Sequence, residues 1–253
     1  YAGSSYSNDV QFGLGVYYCM SEELEAAEEA FENVNYRTLD TRNRDKYDLR
    51  MGYMAFMKGD YQNATLHFRR IESKSLYSEH AVYYLSYMAY AEGDIDTARK
   101  GFTSLLKSVQ YGDLMPYYLL QLDFREGKYE SVVAKGDDLM KRTTDEYATE
   151  IKRIMAESYF QLSDYKNAVS YMNSYRTSGG EMGRVENYIM GYSQYRQTLY
   201  AEASSYLRQA CGADDMLTQN ASYHLADCYP RAGDKNNAMH SFAMASSATF
   251  DKD

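Results

Sequence analysis

Few residues of this chain have the type and spacing for covalent or metal chemistry. The four histidines, His67, His80, His224 and His240, fall in separate segments, and none belongs to the His-Glu-x-x-His pair of a zinc helix. No Gly-x-Ser-x-Gly elbow marks a nucleophilic serine. Gly13-Leu14-Gly15 lies in a helical pattern, whereas a dinucleotide loop follows a strand. Asp40, Asn43 and Asp45 lack the glycine and closing glutamate of a calcium loop, so the stretch 38–46 reads as a linker. The glycine-rich stretch 178–183 lacks the lysine of a phosphate cradle and reads as a joint. Cys19, Cys211 and Cys228 are odd in number and read as buried thiols, with a Cys211–Cys228 pairing left open. Two glycosylation sequons, at Asn63 and Asn220, fall inside helical patterns and read as chance. No catalytic residue, metal site or cofactor is expected. What remains is contact chemistry. The chain has 29 tyrosines and no tryptophan, each tyrosine an apolar ring with a polar handle.

The elements that must position these rings repeat. Residues 51–68, MGYMAFMKGDYQNATLHF, read as two short helices around a turn, with Gly59 ending the first and Asp60 capping the second. The pattern returns at 85–102 and again at 119–136. Counted from the turn, Gly59 to Gly93 and Gly93 to Gly127 are 34 residues, Gly127 to Ser163 is 36, and Ser163 to Thr198 and Thr198 to Gly233 are 35. A fixed period of this length is the mark of stacked helical hairpins. Seven follow, near 8–41, 45–78, 79–112, 113–146, 149–182, 184–217 and 219–252. The first lacks the glycine but shows its second helix in Leu24, Ala27, Phe31 and Val34. Its acidic run, from Glu22 to Glu29, reads as a solvated helix face.

Within each hairpin the same positions carry the same sizes. A small residue recurs in the first helix at Gly15, Gly52, Ser86, Ala156, Gly191 and Ala226. An alanine recurs in the second at Ala27, Ala64, Ala98, Ala168, Ala203 and Ala238, with a bulky residue four further on at Phe31, Phe68, Phe102, Met172, Leu207 and Phe242. The hairpin near 113–146 departs, with Leu120, Val132 and Gly136 in these places. Small residues let two helices approach, and the bulky residue fills the gap to the next hairpin. Over nearly the whole chain this pattern resembles the tetratricopeptide repeat (TPR) family. The resemblance implies an all-α, right-handed superhelical solenoid of about seven hairpins, forming a single array over 1–253. The alanines of the second helices are expected to be buried.

In that family the first helix of each hairpin lines the concave face, so the resemblance also implies a contact surface. Its positions here are Leu49, Tyr53 and Phe56; Tyr83, Tyr87 and Tyr90; Tyr117, Gln121 and Phe124; Arg153, Glu157 and Phe160; and Tyr188, Tyr192 and Tyr195. Tyr223 begins the last set, and Tyr84 and Tyr118 adjoin. Arg125, Arg153, Arg196 and Arg231 lie at the same edge and are expected to meet carboxylates or carbonyls. Two readings stay open: a tyrosine-lined trough for a peptide or protein segment, with Tyr53, Tyr87 and Tyr192 exposed, or tyrosines that pack between hairpins. A subset of the family clamps the C-terminal carboxylate of chaperones with lysine and asparagine. Tyrosine, leucine, glutamine or glutamate stands there in this chain, so that partner is not implied.

Charge and composition bound the partners. A net charge of −9 argues against nucleic acid, which requires clustered cations. No apolar run reaches the roughly 18 residues a membrane span needs. Residues 223–245, YHLADCYPRAGDKNNAMHSFAMA, are similar to long TPR arrays of Gram-negative cell envelopes. That likeness implies a periplasmic or envelope location, with the cytoplasm as the alternative, and, since the chain begins at Tyr1 and shows no capping helix, the N-terminal part of a longer array. It also leaves Phe242, Met244 and Phe250 as a surface for self-association. The expected function is a non-catalytic protein-interaction scaffold. The alternative is a structural segment of an envelope assembly with an empty groove. Glycan binding is weaker, since sugar platforms favour tryptophan. Pro230, late in the seventh first helix, is expected to end or kink it between Ala226 and Gly233.

Overall fold

The structure is a computed structural model that describes residues 5–231 and Met239. The described residues form thirteen α-helices and a short 3-10 turn, with no strand among them. The helices pair as α1 (Ser5–Met20) with α2 (Leu24–Glu32), α3 (Thr41–Met57) with α4 (Tyr61–Phe68), and α5 (Ser78–Glu92) with α6 (Ile95–Ser104). Then come α7 (Met115–Arg125) and α8 (Tyr129–Met140), α9 (Asp145–Gln161) and α10 (Tyr165–Thr177), α11 (Arg184–Arg196) and α12 (Tyr200–Ala210), and finally α13 (Met216–Arg231). No helix is long and apolar enough to cross a membrane among the described residues. The chain divides into two compact units, Tyr1–Met115 and Pro116–Asp253.

Each hairpin turn rests on one left-handed residue. Glu22, Gly59, Gly93, Gly127, Ser163 and Thr198 have φ of 60, 76, 83, 71, 60 and 65°. The next amide then donates five residues back, as from Asp60 to the Ala55 carbonyl at 2.9 Å, from Asp164 to Tyr159 at 2.9 Å and from Leu199 to Gln194 at 3.0 Å. That bond satisfies a carbonyl the helix end would leave open. The residue after the turn opens the second helix, and Asp60, Asp94 and Asp164 cap it by accepting from the amides of Asn63, Thr97 and Asn167. Thr198 is the strained member, because a β-branched residue at positive φ crowds its own carbonyl. Thr198→Gly is expected to stabilise the fold by about 0.5–1 kcal/mol, after subtracting glycine's larger unfolded entropy. A raised urea midpoint checks this; a lowered one would mean that the threonine side chain holds the turn.

The segment between α2 and α3 differs from its expected form. Residues 41–46 are not linker but the opening turns of α3, and the connection is the 3-10 turn Tyr36–Thr38 with Leu39. The physical reason is a cap: Asp40 accepts from the amide of Asn43 at 2.8 Å. Asp45, within that stretch, is buried and accepts from the Glu72 amide at 3.3 Å.

The core repeats one rule within each unit. Every hydrophobic cluster draws on the two helices of a hairpin and the first helix of the next. Phe31 and Ala27 of α2 meet Met54 of α3, and Phe68 and Ala64 of α4 meet Ala81 and Met88 of α5. Val132 and Leu139 of α8 meet Ile151 and Met155 of α9, Met172 of α10 meets Ile189 and Met190 of α11, and Leu207 of α12 meets Leu225 of α13. Ala27, Ala64, Ala98, Ala168 and Ala203 are all fully buried, as the pattern predicts; Ala238 lies outside the described residues. The departing hairpin keeps the rule by exchanging sizes. Leu120 and Val132 are buried, and a side chain at Gly136 would meet the Met155 sulfur at 2.2 Å, so α9 fills the space that α8 leaves.

α13 stays helical through Pro230 to Arg231, so it does not end ahead of the proline. Gly233, the second helix of the seventh hairpin, and the Phe242, Met244 and Phe250 expected to drive self-association lie outside the described residues. Cys228 is buried, which pushes its thiol up to about 12, and the thiols of Cys19, Cys211 and Cys228 are free rather than paired. Cys211 instead sits 3.4 Å from the Ser222 hydroxyl.

Candidate functional site

In the first unit the expected contact positions form a row of rings on α3 and α5. Tyr53 lies 5.8 Å from Tyr84, Phe56 lies 5.1 Å from Tyr84 and 5.7 Å from Tyr87, and Tyr83 stacks on Tyr111 at 4.6 Å. Tyr87 continues to Tyr90 at 6.3 Å, and Tyr90 turns back onto Phe102. All of Tyr53, Phe56, Tyr83, Tyr84, Tyr87 and Tyr90 are half-buried, whereas Leu49 is in the core. The helical spacing of three and four residues places these side chains on one face, and tilted, stacked and edge-to-face contacts then hold each ring against its neighbour. Burial, and after it the nearby Tyr53 and Tyr83, push the Tyr84 hydroxyl up to about 12. The Tyr84 hydroxyl is therefore neutral at any physiological pH.

The second unit carries a comparable row on α9, α11 and α13. Phe160 meets Tyr165, Tyr188 and Tyr192; Tyr188 stacks on Tyr192 at 5.7 Å; and Tyr192 meets the His224 ring at 4.7 Å. Tyr195 also touches His224, and its hydroxyl donates to Asp227 at 2.9 Å. Burial, followed by that hydrogen bond, takes Tyr195 up to about 12, and burial, followed by the nearby Tyr192 and Tyr165, takes Tyr188 to about the same value. His224 is held below the usual imidazole range by burial, only partly offset by Asp227, so the ring among these tyrosines is neutral at pH 7. Farther back, Tyr117 sits 4.5 Å from Tyr147 and accepts a hydrogen bond from Gln121, which is itself buried.

The three middle tyrosines, expected to be exposed, are half-buried, with Tyr53 beside Tyr84, Tyr87 beside Phe56 and Tyr192 beside Phe160. The same rings thus pack against neighbours and keep part of their surface accessible. The arginines differ among themselves. Arg153 is committed within α9, bonded to both Glu150 and Glu157, and its guanidinium is held even more firmly protonated than usual by the Glu150 bond. Arg196 is exposed and reaches only hydroxyls, donating to Tyr192 at 3.0 Å and Tyr165 at 3.1 Å while lying 4.8 Å from the Tyr165 ring centre. Arg231 pairs with Asp227 at 2.9 Å, and Arg125 is exposed.

A feature the helical triplets missed lies in the first unit. A cavity of about 660 Å³ opens between the end of α1, α3, α5 and residues 110–111, with Tyr53 and Tyr84 on its wall. Arg50 and His80 also line it. Arg50 is one residue off the counted position Leu49, but three before Tyr53, so the i, i+3 relation could have drawn attention to it. Tyr111 lies outside the helices, where no periodicity points to it.

No protein-family model matches this chain, and no curated protein sequence does. Among solved structures, the crystal structure of a tetratricopeptide repeat protein from Parabacteroides merdae aligns over 98% of this chain and 95% of its own, at 12% identity and a TM-score of 0.61. A structure from the functional characterization of Pseudomonas aeruginosa pilF aligns over 96% of this chain and 91% of its own, at 10% identity. Its TM-score of 0.34 is too low to argue from. The first likeness speaks of fold alone. The fold is the all-α hairpin solenoid of the tetratricopeptide repeat proteins.

Proposed function

We propose that the chain is a non-catalytic scaffold that holds a peptide or protein segment on the tyrosine-rich faces of its first helices. The residues are Tyr53, Phe56, Tyr83, Tyr87 and Tyr90 in one unit, and Tyr117, Gln121, Arg125, Arg153, Tyr188, Tyr192, Tyr195 and Arg196 in the other. The observation that carries this reading is the rows of rings that brace one another while remaining half-exposed. Rings already fixed by their neighbours lose little freedom when a ligand lies on them, so their contact area converts more fully into affinity. Arg196 adds a cation held by hydroxyls rather than by a carboxylate, free to meet an acidic group or a carbonyl. The cell envelope or periplasm is the proposed place of action, supported by the likeness of residues 223–245 to envelope TPR arrays.

The test is selection from a displayed random dodecapeptide library on the whole chain. The native protein is expected to enrich a consensus, and the Tyr53→Ala, Tyr87→Ala, Tyr192→Ala variant to lose it at unchanged helical content. Failure of the native chain to enrich any sequence, or equal enrichment by the variant, would refute the reading.

A further inference from the structure

We propose that the cavity of the first unit receives an acidic side chain of the bound segment, an aspartate or glutamate next to an apolar residue, and pairs it with Arg50. The proposal rests on the scaffold reading above and adds a specificity pocket to it. Arg50 is half-buried on the cavity wall. Its Nε is buried without a hydrogen-bond partner, and no carboxylate among the described residues pairs with it. Arg44 shares the buried, unbonded Nε but donates through a terminal nitrogen to the Arg37 carbonyl at 2.6 Å, and Arg70 lies 3.7 Å from Asp48, whereas Arg50 has neither kind of partner among the described residues. A buried Nε–H without a partner is unfavourable, and an incoming carboxylate offers the guanidinium of Arg50 the planar, two-pronged match it lacks.

The rest of the wall fixes which anion. His80 shares a hydrogen bond with the Tyr111 hydroxyl at 2.6 Å, and burial, reinforced by the Arg50 charge, keeps it below the usual imidazole range. The cavity therefore presents one cation at pH 7 and, in Glu22, one carboxylate. A single negative charge suits that balance, whereas a dianionic phosphate would meet one cation and one like charge. The rings of Tyr53 and Tyr84 line the path to Arg50. Met20 and Met57, 73% and 55% exposed, stand at the edge, where flexible thioethers adapt to an apolar neighbour of the acid. About 660 Å³ accommodates one or two side chains, within the usual range of ligand pockets.

The experiment repeats the dodecapeptide selection on the native chain, on Arg50→Met and on a Tyr87→Ala, Tyr192→Ala variant, whose changes lie off the cavity wall. The native chain should enrich aspartate or glutamate beside an apolar residue at one fixed position. A synthetic peptide of that consensus should bind at least tenfold more weakly when its acid is replaced by the amide, or when Arg50→Met is used. Arg50→Met should not lower the melting temperature, since the arginine has no partner to lose; a clear drop would show a structural role and overturn the proposal. Enrichment without an acidic preference, or with the same preference in Arg50→Met, would also overturn it while leaving the scaffold reading intact. Loss of binding in the tyrosine variant with no change in Arg50→Met would have that same meaning. If free 3-phenylpropionate saturates the cavity as tightly as the peptide does, the site is one for small carboxylates and the assignment to a peptide fails.

Discussion

Gly191→Ala should destabilise the chain by about 2–3 kcal/mol, at the upper end of what overpacking costs. A methyl group built there would stand 2.8 Å from the Leu207 Cγ, 2.9 Å from the Leu207 amide nitrogen and 3.1 Å from the Ala203 carbonyl oxygen. Two of the three neighbours are backbone of α12, so the helices themselves must part. At Gly52 the three nearest atoms the same methyl would meet all belong to the Phe68 ring, the first 2.7 Å away, and a ring can tilt; a smaller loss of about 1–2 kcal/mol is expected. Gly13 is the control. It lies on an exposed face of α1 with nothing within 4 Å, so Gly13→Ala should instead stabilise the chain by about 0.5–1 kcal/mol through helix propensity. Urea unfolding of the three variants checks the order. A Gly191→Ala variant as stable as the native chain would refute close approach of α11 and α12.

Asp48→Ala is expected to cost about 3 kcal/mol, the other large effect. Asp48 is fully buried in α3, accepting from the Tyr36 hydroxyl at 2.6 Å and lying 2.7 Å from the His67 Nδ1. A carboxylate only accepts, so Nδ1 carries the proton. The residue thereby ties the connection after α2 to α4 across α3. Its removal forfeits two charge-assisted bonds and leaves two part-buried donors without partners. Arg70, at 3.7 Å and largely exposed, replaces neither. Tyr36→Phe should cost only about 1–2 kcal/mol, since His67 still holds the carboxylate. A double-mutant cycle with His67→Leu measures the coupling; a loss below about 1 kcal/mol for Asp48→Ala would contradict the network.

The repeat was legible because each turn needs a left-handed residue, and glycine announces that need at Gly59, Gly93 and Gly127. At Ser163 and Thr198 only the period marks the turn, and both have the same left-handed conformation, with φ of 60 and 65°. Glu22 fills the role in the first hairpin with no residue-type signal, in a run that reads only as an acidic helix face. The opening of α3 is hidden in the sequence for a related reason: Asp40 and Asn43 suit a linker as well as a helix cap, and only the hydrogen bond from the Asn43 amide to Asp40 decides. The buried alanines followed from spacing because a helix crossing tolerates only small residues. The site was less legible. Spacing chose the face of α5 and α11, but not how far each ring leans on the next, which depends on side-chain directions across helices. Nor could it show that Arg153 is spent on Glu150 and Glu157 while Arg50 is left unpaired.

The most direct test of the scaffold reading is the affinity of the selected dodecapeptide, fluorescein-labelled, measured by anisotropy against the native chain and the Tyr53→Ala, Tyr87→Ala, Tyr192→Ala variant. Buried tyrosine contacts contribute about 1–2 kcal/mol each, so the variant should bind at least tenfold more weakly. Its circular dichroism should stay helical, and Tyr→Phe at the same three positions should retain most of the affinity, since ring area carries the contact. An affinity unchanged in the alanine variant would place the binding surface elsewhere and contradict the account.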